Sequence, residues 1–352
     1  MKRKFILLIT VLVAILTSSC NKLGTTPPEN TRVVPYESED FAMGTVVMQR
    51  IYDDNGKKIS KQVIDRIRKI EEGMTINKLG GQINKLNEFA GIDFVELDKD
   101  DIYILEKAKE YSEISNGAFD VTVGPLVKKW GVFSDNPSIP SMDEIHSLLG
   151  IVGFKDIKID KPSSRAKLDK KGQVVDLGGI AKGFAGDEAI KIYKKHGVKS
   201  AFISIGGNIV LLGGKPDSTS WKVGVRDPRG PEGSYIAVIN AKDKAIVSSG
   251  DYQRYFEKEG VRYHHIIDPR TGYPADSGLI GTTVVSELSI DADALSTAAF
   301  VLGLESGMDL IEKIEGVEAV FITDKKKVYI TEGLSDQIQF EDENEYEYIE
   351  KR

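Results

Sequence analysis

In this chain the helical and the extended patterns are segregated rather than interleaved, and that ordering limits the possible architecture more than any other feature. Residues 41–52 are Val-rich and partly alternating, which predicts a strand. Within 58–73, Val63, Ile64, Ile67 and Ile70 recur at helical spacing, and 100–115 repeats the pattern before Asn116-Gly117 ends it. Ser141, with Glu144 three residues on, forms a capping box that opens a short helix ending at Gly150, and 183–196 reads as a helix closed by Gly197. From there the pattern turns extended, with strands predicted at 200–212, 221–226, 235–239, 245–248 and 262–267. A helix pair over 293–316, interrupted near Gly303, leads into closing strands at 318–323 and 327–331. Strands gathered behind helices and joined by short connections predict an α+β fold, with antiparallel sheets and flanking helices, over a doubly wound sheet. No linker breaks the chain after residue 40, so 39–335 is read as one large domain.

The two ends read differently from that body. Lys2, Arg3 and Lys4 precede a largely apolar run of twelve residues, Phe5 to Leu16. A bilayer span needs about 20 residues, so the run suits a signal peptide over 1–19 rather than a transmembrane helix. Thr17, Ser18 and Ser19 then lead to Cys20, the single cysteine of the chain. A cysteine in that place looks like the acylation site of a bacterial lipoprotein, although Leu16 stands four residues before it and Thr17 three before, where the motif expects Leu. Ordinary secretory cleavage is the alternative. With one cysteine no internal disulfide can form, and stability must come from the core. Residues 20–38 carry Pro27-Pro28, several threonines and little apolar content, and read as a flexible tether. The expected location is therefore the extracytoplasmic face of the cell membrane, held by a lipid anchor. Residues 336–352 read as an acidic tail, of which 340–348 is expected to fray into solvent. The formal net charge is −7 and the lysines are scattered along the sequence, without a basic stripe interleaved with aromatics, which argues against nucleic acid as a partner.

Chemistry concentrates in three segments. HHIIDPRTGYP (264–274) puts an imidazole and a carboxylate on one short strand and ends in a Pro-Arg-Thr-Gly turn. DADALSTA (291–298) opens a helix on which Asp293 and Thr297, four apart, share a face. A carboxylate and a hydroxyl near a helix N-terminus are hard oxygen ligands of the kind Mg²⁺ prefers. The glycine-rich DLGGIAKG (176–183) can bring backbone close to phosphates. Singly these are a turn, a helix cap and a packing glycine; together they point to metal-assisted phosphate chemistry. Other familiar sites fail. No GxGxxG follows a strand, and Gly214-Lys215 lacks both the preceding glycine and the following Ser or Thr of a P-loop. Ser249 lies in SSG rather than in a GxSxG elbow. His264 and His265, adjacent on a strand, point to opposite faces and are not a two-histidine metal pair.

Read in order, the segments resemble the ApbE family, the FAD:protein FMN transferases. Met43-Gly44-Thr45 matches the opening motif, and NGAFDVTVGPL (116–126) matches the central flavin-contacting loop. DLGGIAKGFAGD (176–187), IGGN (205–208) and SSGDY (248–252) follow, then HIIDPRTG (265–272) and ADALST (292–297). The match runs over about residues 40–325. The resemblance implies a reaction in which FAD is cut at its pyrophosphate, a threonine hydroxyl of an acceptor protein takes the FMN phosphoryl group, and AMP leaves. It implies Mg²⁺, or Mn²⁺, held by the Asp293 carboxylate, the Thr297 hydroxyl and the Ala181 carbonyl, with Ser296 at a further ligand position of some members. A dication there would neutralise charge on the phosphoryl oxygens. Met43, Ala118, Phe119, Asp120, Gly178, Phe184 and Ile267 fall on flavin-contact positions, and Lys182 on a phosphate-neutralising one. His265 falls near the phosphates, where a neutral imidazole could take the proton of the attacking hydroxyl. Its structural alternative is a histidine bonded to Asp268.

One position departs from the pattern. Where the family often stacks a tyrosine on an FAD ring, this chain has Asn77. Lost stacking, worth ~0.5–1.5 kcal/mol, could open the site to water. FAD hydrolysis to FMN and AMP is therefore one alternative activity. A flavin-binding lipoprotein without chemistry is another, though it leaves Asp293, Thr297 and His265 without a task. The expected partners are FAD and acceptor subunits of extracytoplasmic redox proteins.

Overall fold

The computed structural model describes residues 34–75, 80–342 and 345–349. Its helices are α1 (Gly56–Met74), α2 (Gln82–Glu88), α3 (Lys99–Ile114), α4 (Gly124–Trp130), α5 (Met142–Leu149), α6 (Ala181–Lys195), α7 (Ser289–Leu302) and α8 (Leu304–Ile311). The first nine strands are β1 (Tyr36–Ala42), β2 (Thr45–Ile51), β3 (Val95–Glu96), β4 (Ile157–Asp160), β5 (Arg165–Leu168), β6 (Ala201–Ile205), β7 (Asn208–Leu212), β8 (Trp221–Arg226) and β9 (Tyr235–Ala241). The rest are β10 (Ala245–Gly250), β11 (Tyr255–Lys258), β12 (Val261–His264), β13 (Leu279–Ser286), β14 (Glu318–Thr323), β15 (Lys327–Ile330), β16 (Ile338–Phe340) and β17 (Glu347–Ile349).

Nine strands form one sheet in the order β1-β2-β6-β7-β10-β13-β14-β15-β17. Every neighbouring pair in it is antiparallel except β15–β17. The α+β class expected from the segregated pattern is what the chain adopts. One face of the sheet carries the helices. Helix α1 turns Ile59, Val63, Ile67, Ile70 and Met74 into the core, a stripe at the spacing read from the sequence. The other face is covered by the three-stranded sheet β16-β9-β8, around Trp221, Val225, Ile236 and Ile239. Strand β13 lies between the two layers and all eight of its residues are buried. Val284 joins the helix-side core and Val285 the sheet-side core, so the strand reads as a continuous apolar run.

Several boundaries differ from expectation for identifiable reasons. The strands expected at 41–52 and 200–212 are each a hairpin. The first reverses at Met43-Gly44, with φ of 53° and 68°, and the second at Gly206-Gly207, with φ of 58° and 92°. Left-handed turns of two residues match the twist of the flanking strands, and Met43 gave no warning because Gly is the usual occupant. The helix expected from 293 starts at Ser289, which places Asp293 in its second turn. The terminal segment is the clearest correction: its described residues, 338–342 and 345–349, do not fray. β16 pairs with β9 and β17 with β15, Tyr346 is buried with its hydroxyl donating to Asp227 at 2.7 Å, and Phe340 stacks on Tyr348. Alternating apolar side chains among the acids supply a strand pattern that the charge count concealed.

Candidate active site

The site is built where α6 and α7 cross. Glycines make the crossing close. A Cβ on Gly183 would lie 2.4 Å from the Ser289 carbonyl oxygen and 2.8 Å from Asp293 Cβ, and one on Gly186 would lie 2.6 Å from Val210 Cγ2. No other residue fits at Gly183 without moving backbone. At this contact Asp293, buried on α7, accepts the Gly183 N–H through Oδ2 at 2.8 Å. Its Oδ1 faces the Lys182 Nζ at 3.7 Å, and Lys182 also donates to the Gly178 carbonyl at 3.3 Å. Thr297 stands one turn along the same face, its hydroxyl 3.5 Å from the Asp293 carbonyl oxygen and 3.4 Å from Ser249 Oγ. Both contacts are long, which leaves that oxygen available to a ligand. Ala181 opens α6 on the facing helix.

Ser296 is placed otherwise. It is fully buried, with its hydroxyl engaged by Ser249 Oγ at 2.8 Å and by the Asp293 carbonyl at 2.9 Å. It braces the helix against β10 instead of presenting a free oxygen. Ser249 is the residue that sequence reasoning passed over: its motif was legible, but its contact with α7 is tertiary.

Among the described residues no group of three or more His, Cys, Asp or Glu side chains is arranged to hold a metal. The site offers one carboxylate with hydroxyl and carbonyl oxygens. That donor set suits a hard dication whose remaining ligands are substrate phosphates, and does not suit a soft or tightly caged ion.

The loop that ends α3 comes up beside these oxygens. Asn116 takes φ 51° and the Gly117 N–H bonds to the Ser112 carbonyl at 2.8 Å, a Schellman closure that turns the chain sharply. Phe119 then lies so that a Cβ on Gly179 would meet its ring at 3.2 Å and the Thr297 hydroxyl at 3.6 Å. Phe119, the glycine loop and the Thr297 oxygen thus converge, with Ala118 buried next to them in sequence. Gly178 is exposed and held by the Asp176 side chain at 2.8 Å. Burial pushes the Asp176 and Asp120 carboxyls above the ordinary range. Asp120 accepts from the Thr122 backbone and hydroxyl and from the Phe154 N–H, at 2.7 to 2.8 Å. Three of its lone pairs therefore organise the loop, and a flavin contact would have to use what remains. Met43 packs partly buried against the main core in its left-handed turn, the strained kind of position found at ligand sites.

Two expected contact residues are buried among core side chains. The Phe184 ring is buried beside Tyr103, at 6.0 Å, with Arg66 at 5.9 Å, on the side of α6 toward α1 and α3. Ile267 is buried in a satellite core with Leu126, Trp130 and Ile145. Each packs as a core side chain here. Asn77 and Cys20 lie outside the described residues.

The two histidines part company as expected. His264 is buried, bonded to the Ala275 carbonyl at 3.0 Å and set edge-on against Phe300. His265 turns its Nδ1 to the Arg254 carbonyl at 3.2 Å. A carbonyl can only accept, so Nδ1 carries the proton and Nε2 is left as the basic nitrogen. Desolvation pushes its pKa down to about 4, against the bond to Arg254 and helped by His264, Lys182 and Arg254. Its ring nonetheless retains partial exposure, and Phe133 stands edge-on to it at 5.6 Å. The alternative partner Asp268 is taken: Arg270 binds both its oxygens at 2.8 Å.

An α+β domain that gathers hard oxygens, a lysine and a glycine loop at one helix crossing has the donor types that phosphate chemistry uses. Its sequence places it further. The ApbE family profile matches residues 43–321, and the chain belongs to that family. It is 33% identical over 325 residues to a FAD:protein FMN transferase of Treponema pallidum, an alignment spanning 88% of this chain and 90% of the relative. The crystal structure of the ApbE protein of Thermotoga maritima aligns with a TM-score of 0.80 at 34% identity, over 85% of this chain and 97% of that one. The flavin transferase ApbE from Vibrio cholerae aligns with a TM-score of 0.77 at 26% identity, over 86% and 99%.

Proposed function

We propose that this protein transfers the FMN portion of FAD to a hydroxyl of an acceptor protein and releases AMP. The observation that carries the reading is the convergence at the α6–α7 crossing of Asp293, Thr297, Lys182 and the Phe119 loop. Phosphate, flavin and cation functions have to meet within one such space, and the family relatives named for this activity share the fold. The acceptor group is taken to be a threonine, whose oxygen attacks the FMN-side phosphorus as the bond to the AMP phosphate breaks. The proton of that hydroxyl goes to His265 Nε2, which is unprotonated at neutral pH because burial depresses its pKa. Lys182 holds negative charge at the mouth of the glycine loop, and the backbone around Gly178 and Gly179 allows the diphosphate close approach. Mg²⁺, held by Asp293, Thr297 and the Ala181 carbonyl, would neutralise charge building on the phosphoryl oxygens. The flavin is carried and not reduced.

The protein is further proposed to work outside the cytoplasm, acylated on Cys20, on subunits of redox proteins. No helix among the described residues is long and apolar enough to cross a membrane. Mass spectrometry of the mature amino terminus tests the anchor, and an unmodified Cys20 would refute it.

The activity test incubates the mature domain with FAD and Mg²⁺, with and without a threonine-bearing acceptor, and follows AMP by HPLC and flavin fluorescence on the acceptor band. AMP released only with acceptor, together with a fluorescent band, is the expected result. AMP without acceptor would make the protein a hydrolase, and no AMP would make it a binder.

A further inference from the structure

Helix α7 begins without a cap of its own. The residue before it, Leu288, is extended at φ −105° and ψ 135° and has no side-chain acceptor. The first N–H groups of a helix lack intrahelical partners, and Ser289 and Ile290 are fully buried, beyond the reach of water. The neighbouring helix supplies what is missing. Asp187 of α6 accepts the Ser289 N–H at 2.8 Å through Oδ1 and the Ile290 N–H at 2.9 Å through Oδ2. The converse bond has already been described: Asp293 of α7 accepts the Gly183 N–H in the first turn of α6. Each helix therefore caps the other. Because 183 meets 293 and 187 meets 289, the helices run antiparallel along this contact, with both carboxylates acting as pins.

We propose that Asp187 is the positioning residue of the cation-binding oxygens: by capping α7 from α6 it fixes the register in which Ala181, Asp293 and Thr297 converge, without itself touching cation or FAD. The inference rests on the reading above that those oxygens hold a dication. A local cap was open to the chain, since a Ser or Asp at 288 would satisfy α7 and Leu288 is 43% exposed. Instead a carboxylate is placed between helices, where burial pushes its pKa up to about 6 despite two N–H bonds and the Lys191 ammonium. An arrangement with that cost does something a local cap does not. It couples the helix bearing Ala181 to the helix bearing Asp293.

The test separates capping from coupling. Mn²⁺ affinity is measured by electron paramagnetic resonance, with FAD present, for the wild type, Asp187→Ala, Asp187→Asn and the double variant Asp187→Ala/Leu288→Asp, alongside their melting temperatures. Loss of a group that orients metal ligands weakens affinity by roughly 10- to 100-fold, and Asp187→Ala is expected to fall in that range. Asp187→Asn keeps one acceptor oxygen and should recover part of the loss. Leu288→Asp should restore the melting temperature of the double variant but not its Mn²⁺ affinity. Affinity in Asp187→Ala within about twofold of wild type, or restored together with stability by Leu288→Asp, overturns the proposal. If Asp187→Ala does not fold, Asp187→Asn decides by the same twofold criterion. A wild type that binds no Mn²⁺ overturns the dication reading and this inference with it, whereas a wild type that binds while the variants match it removes only the role of Asp187.

Discussion

The two halves of the site are built to different standards. On the proposed phosphate side the scaffold is locked: Gly183 admits no Cβ, Asp293 and Asp187 pin the helices, and the Ser296–Ser249 bond braces α7 against β10. On the base side His265 hangs from one carbonyl between the β11–β12 hairpin and a loop. The tip of that hairpin, Glu259-Gly260, turns through left-handed conformations, and Phe133 over the imidazole is 62% exposed. The contrast follows from what each side meets. A small, invariant diphosphate rewards geometry held to a fraction of an ångström on rigid elements. A protein surface that must dock and leave is better met by loops.

If the phosphate side is as rigid as its packing implies, the largest effect should come from Asp293. Asp293→Ala removes an oxygen from the proposed cation set and uncaps Gly183. Several kcal/mol of transition-state stabilisation are at stake, so AMP release should drop at least about a hundredfold while FAD binding stays detectable. Asp293→Asn keeps an acceptor for the Gly183 N–H and should restore the melting temperature without restoring activity. Wild-type turnover in either variant, by HPLC of FAD and AMP, would remove the carboxylate from the chemistry.

The same contrast accounts for what could be read in advance. Asp293, Thr297 and the glycine loop were legible because their positions are set within single helices and turns, where four-residue spacing and Gly composition act directly. Helix α1 and the Ser141–Glu144 capping box, present here with reciprocal bonds, were legible on the same grounds. What escaped is tertiary. Nothing in the local sequence says that Asp187 serves a helix a hundred residues away, that Phe184 faces α3, or that β16 and β17 join two different sheets. Phe133 escaped for another reason, since a lone aromatic in a polar loop carries no periodicity.

The base side should show its effect in acceptor chemistry and in pH. His265→Ala should slow transfer by roughly 10² to 10⁴, the usual worth of a general base, and leave FAD affinity unchanged. The base works unprotonated, so activity is present above its pKa and lost as pH falls through it. With that pKa pushed down to about 4, kcat/KM should stay level through pH 6 and fall only on approach to pH 4. A free imidazole would instead lose activity near 6.5. A profile between pH 4 and 8 decides, and an acid limb at 6.5 would mean that His265 is solvated or is not the base.

The smallest effect should come from Phe133, and it is the one that tests the contrast itself. The ring sits edge-on at 5.6 Å and 73° to His265, with most of its surface in water. An aromatic pair of this kind contributes about 0.5–1.5 kcal/mol, so Phe133→Ala should change transfer by roughly two- to tenfold. With the acceptor hydroxyl taken to approach His265 past this exposed ring, the change should fall on the acceptor's KM more than on kcat. FAD affinity and Mn²⁺ affinity should not move, because those belong to helices that Phe133 does not touch. Titrating a threonine-bearing acceptor at saturating FAD reads the split. If Phe133→Ala weakened FAD or Mn²⁺ as much as it weakened the acceptor, the two sides would be one cooperative unit and the division between a locked half and an adaptable half would fail.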